Sequence, residues 1–293
     1  MNYLLTGATG LLGASLLNHL KKQNNKITCL IHQKQNKITK TEKINTISGD
    51  LLNYPLLVRA SQYADIIIHA AAVIIEKNPQ NYYSVNVIGT INLLKAAHKN
   101  GIKQFIYISS WANNPRGGDY ANSKYLAEQQ VKRYPKYSII RPADIYSLKR
   151  SHLHNFIKTI EKLPVIPIFS KGEYQISPVF VEDVTKAIIY LINKGPNNRI
   201  ITIIGPKIYS YNKFVHLLRI ALNIRKPIIA IPKLIAYPIL WFTDKLHLPL
   251  PMNLEQYRRL TTHKLINNPF DFAKAGIKPL EFVDFLAKLT MVN

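Results

Sequence analysis

Three glycines near the amino terminus constrain this chain more than any other feature. They stand in Thr6-Gly7-Ala8-Thr9-Gly10-Leu11-Leu12-Gly13, directly after the apolar run at residues 3–6 and at the start of a helical pattern over residues 11–22. Each has a physical task. Gly7 permits the tight turn, Gly10 lets backbone approach a bound pyrophosphate, and Gly13 lets helix and strand pack closely. The helix that follows presents unpaired N–H donors and the positive end of its dipole. A strand–loop–helix with this spacing is built to hold the phosphates of a dinucleotide, and Gly7, Thr9, Gly10, Leu11, Leu12 and Gly13 are the candidate cradle.

The rest of the amino-terminal half keeps the same rhythm. Short apolar strands are expected at residues 26–31, 44–48, 65–69, 105–108 and 137–140. They alternate with helices at 79–100, closed by Gly101, and at 120–133. Continuous apolar strands separated by helices imply a parallel sheet covered on both faces, an α/β doubly wound Rossmann-type domain. After Arg141-Pro142 prolines cluster, first at Pro164, Pro167 and Pro178, later at Pro227, Pro232, Pro238, Pro249 and Pro251. The expected division is a dinucleotide-binding domain at 1–145 plus 178–195. A smaller carboxy-terminal substrate lobe takes 146–177 plus 196–293, including a strand at 200–204.

The 293 residues are 47% apolar, ample for a sizeable core. The single cysteine, Cys29, lies in a strand and reads as a small core residue. No basic-then-apolar leader precedes the first strand, and the longest uncharged run in the apolar stretch near residue 240 is too short to span a bilayer. A cytoplasmic location is therefore expected, with peripheral membrane association the alternative. The net charge of +23 is dispersed. It reads first as a solvated, compositionally biased surface, then as a preference for anionic substrates or membrane surfaces. No helix-turn-helix, zinc or RNA-binding signature accompanies it, so nucleic acid is not expected as a partner.

Further motifs follow the glycine loop in order, and together they resemble the extended and atypical short-chain dehydrogenases/reductases of the epimerase/dehydratase family. Gly49-Asp50-Leu51 resembles the adenine-contacting turn, and His69-Ala70-Ala71-Ala72 the alanine-rich strand end along the cofactor. Asn86-Val87-Ile88-Gly89-Thr90 resembles the NxxGT helix element. Tyr107-Ile108-Ser109-Ser110 and Tyr120-Ala121-Asn122-Ser123-Lys124 resemble the active-site serine and the YxxxK pair. Arg141-Pro142 and the run from Ser177 to Val184 match elements beyond it. The resemblance implies a nicotinamide cofactor held by Asp50, Leu51, Ala70, Ala71, Ala72 and Asn86 as well as by the loop.

Tyr120 and Lys124, four apart on a helix, share one face. A free tyrosine titrates near pH ~10, and a nearby ammonium with a positive nicotinamide favours the phenolate. By resemblance, Tyr120 moves the proton of a substrate hydroxyl or carbonyl, Lys124 also holds the nicotinamide ribose, and Ser109 or Ser110 hydrogen-bonds the substrate oxygen, Ser110 being preferred. The second strand ends Leu30-Ile31-His32-Gln33-Lys34 without an acid. His32 and Lys34 either face a 2′-phosphate, favouring NADP, or are surface residues, leaving NAD.

Tyr120 follows the serine pair by only ten or eleven positions. This short interval resembles bacterial relatives of the dinucleotide-binding accessory subunit of respiratory complex I. Ser147 replaces a frequent glycine, and an arginine common in sugar-nucleotide enzymes is missing before Ser177, so a nucleotide-diphospho-sugar substrate is not favoured. His152 and His154 alternate without carboxylate or thiol partners, so no metal site is expected. Asp183 reads as a structural cap. Tyr237, Trp241 and Phe242 read as core of the small lobe, or else as a wall for a lipid-like substrate or a membrane-facing patch. Two functions stay open. One is an NAD(P)-dependent oxidoreductase or epimerase acting on a small molecule; the other is a non-catalytic dinucleotide-binding assembly or accessory protein of a membrane complex.

Overall fold

A computed structural model describes residues 1–32, 38–76, 78–148, 152–246 and 252–292; Lys34, Pro249 and Pro251 lie outside the described residues. In chain order the strands are β1 (Asn2–Thr6), β2 (Lys26–Ile31), β3 (Ile44–Ser48), β4 (Ile66–His69), β5 (Gln104–Ile108), β6 (Tyr137–Pro142), β7 (Asp144–Tyr146), β8 (Ile166–Phe169), β9 (Gln175–Ile176), β10 (Pro178–Phe180), β11 (Ile200–Ile203), β12 (Tyr209–Ser210) and β13 (Ile228–Ile231). The helices are α1 (Leu11–Leu20), α2 (Tyr54–Ser61), α3 (Pro79–Tyr83), α4 (Gly89–Lys99), α5 (Asp119–Val131), α6 (His152–Lys162), α7 (Val181–Lys194), α8 (Tyr211–Ala221), α9 (Lys233–Lys245), α10 (Leu254–Thr261) and α11 (Phe282–Val292).

Seven strands form one parallel sheet in the order β3-β2-β1-β4-β5-β6-β11. Alternate residues of each strand feed opposite cores. Tyr3 and Leu5 of β1 pack with Leu16 of α1 and Ile188 of α7. Leu4 points the other way, among Leu57 of α2, Leu93 of α4 and Ala127 of α5. Both faces are therefore dry, which is why the strands read as unbroken apolar runs. Cys29 is fully buried on the first face, and burial drives its thiol pKa up to about 12, so it is inert packing. The chain order reverses between β1 and β4. At such a switch point the carboxyl ends of two strands open a crevice where ligands of this architecture bind.

One expectation about this sheet is corrected. The strand near residue 200, assigned above to the small lobe, is β11, the edge strand beside β6, with Ile201 opposite Ile140. Helix α7 is pinned onto α1 by a hydrogen bond between the Thr185 and Ser15 hydroxyls (2.7 Å). The chain leaving α7 therefore re-enters the sheet. The helix expected over 79–100 is present without a break, as α3, a π-helical turn at Ser84–Ile88, and α4, with Gly101 following at φ +64°.

The small lobe packs α8 and α11 around aromatic rings. Tyr146 lies 4.4 Å from Phe285 and Phe214 stacks on Phe282 at 5.0 Å, centroid to centroid. Asp183 has the structural role read for it, accepting a 2.8 Å bond from the Leu280 amide and so tying α7 to the carboxy-terminal segment. His152 and His154 fall in a helix, α6, where residues two apart do not share a face. Tyr237, Trp241 and Phe242 are exposed rather than core, because α9 turns only Ala236 and Leu240 inward. Among the described residues no helix is long and apolar enough to cross a membrane.

Candidate functional site

The glycine loop closes the switch point. Gly7 has φ +72°, and a Cβ there would lie 2.6 Å from the Ala71 amide nitrogen. The loop after β1 thus touches the loop after β4, and only glycine fits between them. A Cβ on Gly13 would strike the Gly7 carbonyl, so the third glycine brings α1 onto that turn. Gly10 caps α1 without a side-chain hydrogen bond, and no acidic residue occupies the first turn. The cradle, at the positive end of α1, is lined by backbone rather than side chains, with Thr9 and Gly10 exposed and Leu11 partly so. These are the requirements of a pyrophosphate, and a dinucleotide fits the residues present.

Beside the cradle lies a buried polar row. Thr6 Oγ1 is 2.7 Å from His69 Nδ1, and His69 Nε2 is 3.0 Å from Thr90 Oγ1. Thr90 gives its hydroxyl hydrogen to the Asn86 carbonyl at 2.6 Å, so it must accept from His69 Nε2–H. Nδ1 is then the acceptor for Thr6, whose oxygen also takes the Ala71 N–H at 3.1 Å. Burial, reinforced by the charge of Lys124, pushes the His69 pKa down to about 3. A neutral imidazole thus fixes the strand end that carries Ala70, Ala71 and Ala72, all three partly exposed toward the crevice.

Asn86 sits in the π turn, its side chain held by protein groups. Its Oδ1 accepts from Val73 N (2.8 Å), while Nδ2 donates to Val73 O (3.0 Å) and Ser123 Oγ (2.9 Å). Its amide is buried and engaged with the protein, so it shapes the crevice by holding the post-β4 loop to α5.

The structure gathers Ser110, Tyr120 and Lys124 at the carboxyl end of β5. Ser109 Oγ is buried with no hydrogen-bond partner among the described residues, whereas the Ser110 side chain acts on Tyr120, favouring its phenolate. Ser110 Oγ accepts from the Ala112 amide (3.1 Å), so its hydroxyl hydrogen is available to donate. Tyr120 is only 7% exposed. Burial raises its pKa, and Arg259 and then Ser110 draw it back down. Lys124 donates to the Ile108 carbonyl at 2.7 Å and stands 4.4 Å over the Tyr107 ring. Its burial lowers its pKa to about 7, opposed by Glu128.

Two site groups come from the small lobe and were missed in the sequence. Glu255 on α10 accepts from the amides of Asp119 (2.8 Å) and Tyr120 (2.9 Å), capping the first turn of α5. Arg259, one turn further, lies 5.2 Å from the Tyr120 ring centroid. The available signal was an i,i+4 Glu–Arg pair behind the capping box of Asn253 and Gln256. Behind the site, the Arg141 guanidinium clamps Glu128 with bonds of 2.8 and 2.7 Å and reaches Asn113 and Asn267. This one buried cation joins β6, α5, the loop after β5 and the carboxy-terminal segment.

At the adenine end, Leu51 is buried in the core, and Asp50 holds its own turn through the Leu52 amide (2.9 Å). The Asp50 carboxylate also lies 3.6 Å from His32 Nδ1. A carboxylate from beyond β3 thus stands beside the end of β2.

Comparisons with known proteins agree with this geometry. The profile of the NAD dependent epimerase/dehydratase family matches residues 3–204. The chain is 26% identical over 187 residues to a ceramide reductase of Caulobacter vibrioides, a match covering 63% of this chain and 59% of that relative. It is 23% identical over 290 residues to the mitochondrial NADH-ubiquinone oxidoreductase 40 kDa subunit of Neurospora crassa, covering 95% and 76%. A UDP-glucose 4-epimerase from Thermotoga maritima superposes with a TM-score of 0.73 at 19% identity, covering 99% of this chain and 98% of that one. With the glycine cradle at the switch point and the matched region running from β1 through β11, the chain belongs to the NAD dependent epimerase/dehydratase family.

Proposed function

We propose that this chain catalyses hydride transfer at a secondary alcohol or ketone, as an oxidoreductase or epimerase, with Tyr120 as proton donor and acceptor. The observation that carries the reading is the convergence of Ser110, a buried Tyr120 and, one helical turn on, Lys124 at the carboxyl end of β5, next to the crevice of the glycine loop. A bound nicotinamide supplies the hydride donor or acceptor. In reduction, the substrate oxygen receives the Tyr120 proton while Ser110 steadies that oxygen by hydrogen bonding. The raised pKa of Tyr120 keeps it protonated at neutral pH, which suits the reductive direction. Oxidation needs the phenolate, and Arg259 is the cation beside the ring that favours it. Lys124 has two hydrogens beyond the one given to Ile108, and these suit a ribose diol.

The preference for NADP rested on His32 and Lys34. Of these only His32 lies among the described residues, and the Asp50 carboxylate beside it opposes a 2′-phosphate. NAD is therefore the reading taken forward.

A second reading, a dinucleotide-holding accessory subunit, is favoured by the match to the Neurospora crassa subunit over 95% of this chain. Consumption of reduced cofactor against a panel of ketones separates the two. Turnover that falls about 100-fold or more in Tyr120→Phe supports catalysis. Tightly retained dinucleotide, no turnover with any ketone and copurification with a membrane complex support the accessory role.

A further inference from the structure

Helix α9 presents an apolar face to solvent. Only Ala236 and Leu240 turn inward, where they join Phe169, Leu254 and Tyr257. At 3.6 residues per turn, Leu234, Pro238, Trp241 and Phe242 fall on the opposite side. Leu234 is 89% exposed, Trp241 49% and Phe242 55%, with Ile235 and Ile239 exposed on the flank. A helix apolar on nearly every side is normally covered.

The charge distribution selects what covers it. From Arg219 to Lys245 the chain carries Arg219, Arg225, Lys226, Lys233 and Lys245 against the single carboxylate of Asp244. Lys233 and Lys245 bracket α9, and the Lys245 ammonium stands 5.1 Å over the Trp241 ring. A second copy of a chain with net charge +23 would meet its own repulsion, whereas an anionic surface would attract it. The helix has 13 residues, too short to span a bilayer but suited to lying along one.

We propose that α9 docks this protein on the surface of an anionic phospholipid bilayer, with Leu234, Trp241 and Phe242 at the acyl boundary and the flanking cations on lipid phosphates. The docked face lies one helix from the candidate site. The Tyr237 hydroxyl on α9 accepts from Arg258 of α10 at 2.8 Å, and α10 carries Glu255 and Arg259 against Tyr120.

The chain has two tryptophans, and Trp111 is buried, so Trp241 reports contact at this face. The full-length protein is mixed with phosphatidylcholine vesicles and with the same vesicles enriched in phosphatidylglycerol. Cosedimentation is read together with tryptophan quenching by brominated acyl chains. The expected result is binding to the anionic vesicles, about tenfold or more weaker to phosphatidylcholine alone or in high salt, with Trp241 quenched. The exposed-site variants Trp241→Ser/Phe242→Ser and, independently, Leu234→Ser should keep the wild-type melting temperature and lose that binding. Failure to bind either vesicle, or binding undiminished in both variants, overturns the proposal. So does a concentration-dependent dimer that the double variant dissolves, which would assign the face to a second copy.

Discussion

Lys124→Met tests the electrostatics of the site through stability alone. In the folded chain burial lowers the Lys124 pKa to about 7, whereas an unfolded lysine titrates near pH ~10.4. Between those values the unfolded state binds more protons, so this residue makes the wild type more stable as pH rises. At pH 6 the folded state must carry a buried ammonium; by pH 9 it has released that proton while the unfolded chain still holds its own. With these two pKa values, the wild type gains about 2.5 kcal/mol relative to Lys124→Met from pH 6 to pH 9. Urea unfolding of both proteins at pH 6, 7, 8 and 9, at constant ionic strength, gives the difference, because titrating groups distant from Lys124 are common to both and cancel. The variant's advantage should be largest at pH 6 and shrink steadily. A difference that stays flat, or grows with pH, would refute a desolvated Lys124.

Three further outcomes follow from the same geometry. Gly13→Ala places a methyl group against the Gly7 carbonyl. It should lower the affinity for reduced dinucleotide tenfold or more and destabilise the fold by about 1–3 kcal/mol, measured by nicotinamide fluorescence titration and thermal melting. Glu128→Gln leaves the clamped Arg141 guanidinium without its counter-charge and should cost about 3–5 kcal/mol in urea unfolding; a loss below about 1 kcal/mol would contradict the pairing drawn here. Arg259→Gln removes the cation that lowers the Tyr120 pKa. The pH profile of alcohol oxidation should move upward by on the order of one unit, with carbonyl reduction near neutral pH much less affected.

Much of the dinucleotide half was legible because its signals are local. The strands Lys26–Ile31 and Ile44–Ser48 fall where the apolar runs placed them, and the glycine loop carries its own geometric reason in each Cβ it excludes. Asn86 was legible as a motif but not as a contact. Its amide turns back to Val73 and Ser123, a choice made by the π turn, which no spacing rule reveals. The strand Ile200–Ile203 follows a helix and a short connection, and three isoleucines with one threonine carry no mark of the sheet they join. Trp241 and Phe242 misled because a helix apolar on all sides hides which face is inward; only the small Ala236–Leu240 stripe tells. Glu255 and Arg259 reach Tyr120 from some 135 positions away, across a lobe boundary, where sequence neighbourhood carries nothing.

In the proposed reaction a nicotinamide held by the glycine loop exchanges hydride with a carbonyl whose oxygen Tyr120 protonates. Its most direct measurement is transfer of deuterium from reduced dinucleotide labelled at the reactive carbon, followed by mass spectrometry across the ketone panel. The wild type should place one deuterium on the carbinol carbon per cofactor oxidised. Tyr120→Phe should bind the labelled cofactor with unchanged affinity and transfer none. Labelled product formed equally well by Tyr120→Phe, or no label transferred to any ketone by wild-type protein saturated with cofactor, would contradict the account.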